Sequence, residues 1–195
     1  MKDKATIRKD LLRKRKDMKI NAHALIDTSI ESQILKQKSF IKSKRIAAYY
    51  GVSGEFDPMP ILHVAHQMGK ECFLPVIHPF KKGGLLFVRW FPKSKLGVNQ
   101  FQIPEPIFKK NQICAPQFLH LILIPLLGFN KQCYRIGMGG GYYDRTLEFR
   151  KRRKNWRGPK FFGLGYEYQL ENSFKENVWD IRLDRIFTGE KMYFC

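Results

Sequence analysis

Residues 135–145 read Arg-Ile-Gly-Met-Gly-Gly-Gly-Tyr-Tyr-Asp-Arg, which places Gly137, Gly139, Gly140 and Gly141 within five positions. Without β-carbons the backbone can turn sharply and aim successive N–H groups into one concavity, a shape that holds phosphate oxygens. A helix starting there adds its positive N-terminal dipole. The spacing is neither G-x-x-x-x-G-K-[ST] nor G-x-G-x-x-G, so neither standard phosphate motif applies. Arg135 offers a forked guanidinium suited to phosphate, and Asp144 a carboxylate of the hard kind that Mg²⁺ takes beside nucleotide phosphates. Singly, these residues describe a tight turn with Tyr142 and Tyr143 in a core and Asp144 capping a helix. Together, cation, glycines and carboxylate in one loop favour a phosphate and metal site. Valine at Gly140 is expected to crowd the phosphate approach and to resist a positive φ.

A length of 195 residues suits one ordinary domain, expected over 1–195, that buries about 70% of the surface its unfolded chain exposes. Subtracting 17 acidic from 36 basic side chains leaves +19, so polyanions are natural ligands, whether nucleic acid, acidic lipid, nucleotide or polycarboxylate. Cys72, Cys114, Cys133 and Cys195 form no C-x-x-C pair. That signals neither a zinc site nor a disulfide framework and suits free thiols in a reducing cytosol. The most apolar run, residues 118–129, is broken by His120 and Pro125 and is well short of the roughly 20 residues a membrane span needs. It reads as a buried strand. No secretory signal is visible at the N-terminus, so the cytoplasm is the expected location.

Ile7, Leu11 and Met18 recur at four and seven residues on one helical face, with Lys9 and Arg13 sharing another. Ile26, Ile30 and Ile34 predict a second helix; Ile61, Leu62, Ala65 and Met68 predict another, ended by Gly69. Strands are expected at 46–50, 72–77, 85–90, 119–124, 161–164 and 185–187, with one more helix after Tyr143. The alternation predicts an α/β protein: a three-layer Rossmann-like sandwich with a mostly parallel central sheet flanked by helices.

Arg150, Lys151, Arg152, Arg153, Lys154 and Arg157 form the densest positive cluster. A solvated helix end or loop accounts for it. A basic nucleic-acid-binding protein, stacking bases on Trp156, Phe161 and Phe162, is the alternative, disfavoured because no recognised nucleic-acid module accompanies the cluster.

Pro125-Leu126-Leu127-Gly128-Phe129-Asn130, followed by the glycine segment, resembles the signature of the 5-formyltetrahydrofolate cyclo-ligase family, the methenyltetrahydrofolate synthetases. Lys9-Asp10-Leu11-Leu12-Arg13 resembles the family's N-terminal K-x-x-L-R, and Tyr50 with Glu55 its folate-binding positions. Ile103-Pro104-Glu105-Pro106 resembles a mid-chain element, and Gly165-Tyr166-Glu167-Tyr168-Gln169 with residues 180–188 the C-terminal block. The likeness runs from about residue 9 to residue 188.

The resemblance implies ATP- and Mg²⁺-dependent conversion of 5-formyltetrahydrofolate to 5,10-methenyltetrahydrofolate. A formamide oxygen is a poor leaving group; phosphorylating it lets the substrate's own N10 close the ring and expel phosphate. Such transfer calls for positioning and charge neutralisation rather than a covalent triad. By resemblance, Lys9 and Arg13 reach the ATP phosphates. Arg135, Gly137, Met138, Gly139, Gly140, Gly141, Tyr142 and Tyr143 wrap the nucleotide, with Arg135, Tyr143 and Asp144 nearest the chemistry. Asp144 and Asp180 hold Mg²⁺, although Asp180 follows Trp179, where relatives often have His, and a surface pairing with Arg182 or Arg185 suits it equally. Tyr50 and Glu55 bind the folate, with Trp90 available to pack on its rings. A basic cleft would also draw in a polyglutamyl tail. A monomer is expected.

Overall fold

A computed structural model of the chain describes residues 3–17, 23–152 and 158–194. Helices α1 (Lys4–Asp17), α2 (His23–Leu35) and α3 (Lys38–Lys42) lead into β1 (Arg45–Ala47), α4 (Met59–Gln67), β2 (Glu71–Ile77) and β3 (Leu85–Trp90). Short strands β4 (Leu96–Val98), β5 (Pro104–Pro106) and β6 (Ile113–Cys114) follow, then β7 (Leu121–Pro125), β8 (Gly128–Phe129) and β9 (Arg135–Ile136). Helices α5 (Tyr142–Leu147) and α6 (Phe149–Arg152) precede β10 (Lys160–Leu164), β11 (Arg185–Phe187) and β12 (Met192–Phe194).

Eight strands form one sheet in the order β12-β11-β10-β7-β1-β2-β3-β6. Its five central strands, β11 to β2, are parallel, while β12, β3 and β6 join antiparallel. Alternation along β7 sends Leu121 and Leu123 to one face and Ile122 and Ile124 to the other, as the two-residue period of a strand requires. The first face is covered by Ile30 and Ile34 of α2, Phe40 of α3 and Ile61, Leu62 and Ala65 of α4. The second is covered by Leu147 of α5 together with Ile181 and Leu183. Each such aliphatic side chain contributes roughly 1.5–3 kcal/mol by leaving water. The three layers and the mostly parallel sheet are those expected.

From β1 the chain moves to β2 on one side, and from β7 it moves through β10 to β11 on the other. The strand order therefore reverses between β1 and β7, where open α/β sheets leave a crevice beyond the carboxyl ends of their strands. Helix α1 buries Ile7 and Leu11 against Leu127, Ile136 and Phe174; Met18 lies outside the described residues.

Several details differ from the sequence reading. The 118–129 run is not one strand: Phe118 is exposed, β7 stops at Pro125 and Gly128 opens the β8–β9 hairpin. Met68 is exposed too, because the helix ends before it; Gly69 follows at φ +74°. Cys72 and Cys114 are free thiols, but Cys133 is disulfide-bonded, which corrects the expectation at that position. Among the described residues no helix is long and apolar enough to cross a membrane.

Candidate active site

The glycine loop links β9 to α5. Gly139 (φ +102°) and Gly141 (φ +65°) occupy the left-handed region, which residues with a β-carbon rarely enter. Gly140, where a positive φ was expected, does not; a β-carbon there would instead meet the Tyr142 ring at 2.8 Å. At Gly137 a β-carbon would meet nothing within 4 Å, and Met138, Gly139 and Gly140 are exposed. The loop thus presents an open backbone surface.

Arg135 lies behind that surface rather than in it. Its side chain is buried, with Nη2 3.0 Å from Asp144 Oδ2 and Nη1 donating to Ile181 O at 3.4 Å. The guanidinium also sits over the Tyr143 ring at 5.8 Å. Asp144 Oδ1 accepts the Ile181 N–H at 3.0 Å, so the carboxylate is fixed from both sides. This bond brings Asp144 beside Asp180, the residue preceding Ile181. Asp180 pairs with neither Arg182 nor Arg185: its Oδ2 accepts from Lys4 Nζ at 2.6 Å and from the Asn177 N–H at 2.7 Å.

Helix α1 presents different cations from those anticipated. Lys9 and Arg13 are exposed, and Arg13 lies 4.0 Å from Asp10. Arg8 faces the loop instead, its Nε donating to Gly137 O at 3.0 Å, while Lys4 turns to Asp180 and lies over the Phe174 ring. The sequence held a signal for this, because Lys4-Ala5-Thr6-Ile7-Arg8 repeats the lysine-to-arginine spacing with Ile7 as its apolar member. Arg15, four residues beyond Leu11 and eight beyond Ile7, shares the buried face and was likewise missed.

At the carboxyl end of β1, Glu55 is held by Arg15, with Nη1 3.3 Å from Oε1 and side chains only 9% and 3% exposed. Arg15 Nη2 donates to Leu126 O at 3.0 Å. Gln169 Nε2 donates to the same oxygen and to Leu127 O, at 3.1 and 2.9 Å, while its Oε1 accepts the Tyr166 N–H. The ends of β1, β7 and β10 are therefore knitted together by buried side chains. Burial pushes the Glu55 carboxyl above the usual carboxylate range, against the pull of Arg15 and the Val52 N–H. The buried hydroxyls of Tyr49 and Tyr143 have no hydrogen-bond partner among the described residues, and burial, with Glu55 nearby, raises both. Unpaired buried hydroxyls of this kind are rare in folded proteins and fit a place where a polar ligand docks. Tyr50 is half-buried beside Trp90. Trp90 belongs to the core, edge-on to His63 at 4.9 Å.

Among the described residues no group of three or more His, Cys, Asp or Glu could hold a metal. The donor chemistry still fits Mg²⁺, which is commonly held by one or two carboxylates plus substrate phosphates. Both bonds to Asp180 fall on Oδ2, and Oδ1 takes none among the described residues. Within the basic cluster, Arg150 pairs with Asp184 and Arg152 with Glu148, each at 2.9 Å. Residues 153–157, with Trp156, lie outside the described residues.

The fold and its convergent polar groups define an open-sheet α/β protein with its candidate site at the reversal of strand order. The chain belongs to the 5-formyltetrahydrofolate cyclo-ligase family, whose model matches residues 1–189, and it is an enzyme of that class. It is 34% identical over 155 residues to 5-formyltetrahydrofolate cyclo-ligase of Escherichia coli K12, covering 78% of this chain and 82% of the relative. To that of Haemophilus influenzae it is 35% identical over 150 residues, covering 76% and 77%. Among solved structures it resembles 5,10-methenyltetrahydrofolate synthetase of Aquifex aeolicus with a TM-score of 0.82 and 29% identity, covering 98% of this chain and 92% of that one. The Mycoplasma pneumoniae synthetase is similar at a TM-score of 0.71 and 25% identity, covering 96% and 99%.

Proposed function

We propose that this chain uses ATP and Mg²⁺ to convert 5-formyltetrahydrofolate to 5,10-methenyltetrahydrofolate, releasing ADP and phosphate. The formyl oxygen attacks the γ-phosphorus and ADP departs. N10 then attacks the activated carbon, the carbon–oxygen bond breaks, and phosphate leaves as N10 gives up its proton. The observation that carries this reading is an open glycine loop, left-handed at Gly139 and Gly141, flanked by Arg8 and by the Arg135–Asp144 pair. Family membership supports the substrate.

Residues 137–143 would lie along the triphosphate, with Arg8 as the cation of α1 at the loop and Lys4 as the one at Asp180. Arg135 acts through Asp144, holding the carboxylate toward the loop mouth. Asp144 and Asp180 would hold Mg²⁺, which supplies charge neutralisation to the phosphates when bound. Glu55, with the Tyr49 and Tyr143 hydroxyls, would orient the formyl-bearing ring, and its carboxylate is suited to receive the N10 proton.

The test is release of ADP and formation of the methenyl product, each with and without 5-formyltetrahydrofolate, in the wild type and in Asp144→Asn. Folate-dependent ADP release, lost in the variant with the fold retained, supports the reading. Unchanged turnover of the variant at saturating Mg²⁺ removes Asp144 from the site, and absent ADP release removes ATP.

A further inference from the structure

Arg145 follows the glycine loop and Asp144, yet neither the loop nor the aspartate accounts for it. Its backbone N–H closes the first turn of α5 on Gly141 O, while its side chain folds back over that turn. Nε donates to Gly83 O at 3.0 Å and Nη2 donates to Gly140 O. The guanidinium lies 5.9 Å from the centre of the Tyr142 ring. Gly83 belongs to the β2–β3 turn, 62 residues earlier in the chain, so one side chain joins two loops that are distant in sequence.

Both loops are shaped to admit it. Gly83 (φ +70°) and Gly141 (φ +65°) are left-handed. A β-carbon at Gly83 would collide with the guanidinium, and one at Gly141 would stand 2.7 Å from Nη1. Thr146 adds a neighbouring tie by accepting the Leu85 N–H at 2.8 Å. Arg145 is exposed and forms no ion pair among the described residues, so charge pairing does not explain its placement. A cation also gains nothing from the first turn of a helix, where the backbone already carries partial positive charge. What holds it there is a pair of carbonyls on two different loops.

We propose that Arg145 is a positioning residue that latches the glycine loop to the β2–β3 turn and so presets the 137–141 backbone for the ATP phosphates. The inference rests on the ATP reading above, but the latch itself can be tested without turnover. A planar guanidinium spans two carbonyls; a lysine ammonium is a single point donor and bridges them less well.

Steady-state constants for ATP and 5-formyltetrahydrofolate are to be measured for the wild type, Arg145→Ala, Arg145→Lys, Gly83→Ala and the Arg145→Ala/Gly83→Ala double variant. Amide hydrogen exchange at 137–141 is followed in the same proteins. Arg145→Ala should raise KM for ATP about tenfold, the scale of a lost charge-assisted hydrogen bond, and leave KM for the folate within about twofold. Arg145→Lys should recover part of the loss. Gly83→Ala, although it removes no side chain, should show the same split, and the double variant should be no worse than the worse single one. Exchange at 137–141 should quicken in every variant. Wild-type KM for ATP together with unchanged exchange in Arg145→Ala would overturn the latch, as would Arg145→Ala and Gly83→Ala effects that multiply. A wild type with no ATP-dependent turnover defeats the ATP reading alone, and the exchange measurement then still decides whether Arg145 orders the loop.

Discussion

Arg15 Nη1 stands 3.3 Å from Glu55 Oε1, joining α1 to the loop after β1 through two side chains almost sealed from water. A buried charge that loses its partner is costly, typically by several kcal/mol. Arg15→Ala should therefore lower stability by about 3–5 kcal/mol, read from the midpoint of urea unfolding. Pairing it with Glu55→Gln should restore part of the loss, since no lone carboxylate then remains buried. A single variant as stable as the wild type would show that the pair contributes nothing.

The same carboxyl gives a pH dependence of definite sign. Burial raises its pKa in the folded state, so between the ordinary carboxylate pKa and the raised one the folded chain binds more protons than the unfolded chain. Stability then falls as pH rises through that window. Unfolding curves from pH 4 to 8 should show the wild type losing stability relative to Glu55→Gln as pH rises, with the gap constant above the raised pKa. A wild type that gains stability relative to Glu55→Gln as pH rises would reverse the sign.

The two sets of cations on α1 are separable by kinetics. Arg8→Ala should raise KM for ATP by about tenfold, because the cation bonded to the loop at Gly137 O is removed, and Lys4→Ala, which takes the cation from Asp180, should do the same. Lys9→Ala and Arg13→Ala, on the exposed side, should leave it within about twofold. Equal effects from both pairs would show that α1 turns when nucleotide binds.

Glycines of the loop should divide by what a methyl group does. Gly139→Ala must hold a β-carbon at φ +102°, and the left-handed region costs such a residue roughly 1–2 kcal/mol. Its melting temperature should drop. Gly137→Ala meets no atom of the protein within 4 Å, so its stability should match the wild type while its affinity for ATP, followed by calorimetry, falls. Intact affinity in that variant would place the phosphates elsewhere.

Much of this molecule can be read from its residues alone, for identifiable reasons. Leu121 to Pro125 and Leu85 to Trp90 are apolar runs long enough to declare strands, and Ile30 and Ile34 repeat at helical spacing. The β4–β5 and β8–β9 hairpins have strands of two or three residues, too short for any period to register. For the site, Gly139, Gly141 and Asp144 are conspicuous as residue types, but partners are not. That Arg135 turns inward to Asp144 depends on Ile181, and that Asp180 meets Lys4 depends on a helix 176 residues away. The same K-x-x-[apolar]-R spacing occurs twice in α1, and only the burial of Ile7 and Leu11 decides which copy faces the loop.

Those long spans bear on how the protein is made. Helix α1 leaves the ribosome before the elements it docks on: Leu126, Gly137 and Asp180, the residues that receive Arg15, Arg8 and Lys4, are 111, 129 and 176 positions further on. Through most of synthesis this cationic helix has nowhere native to dock. Its seating is thus among the final acts of maturation, and a chain stalled before residue 180 would carry a nearly finished sheet with the proposed nucleotide site unassembled.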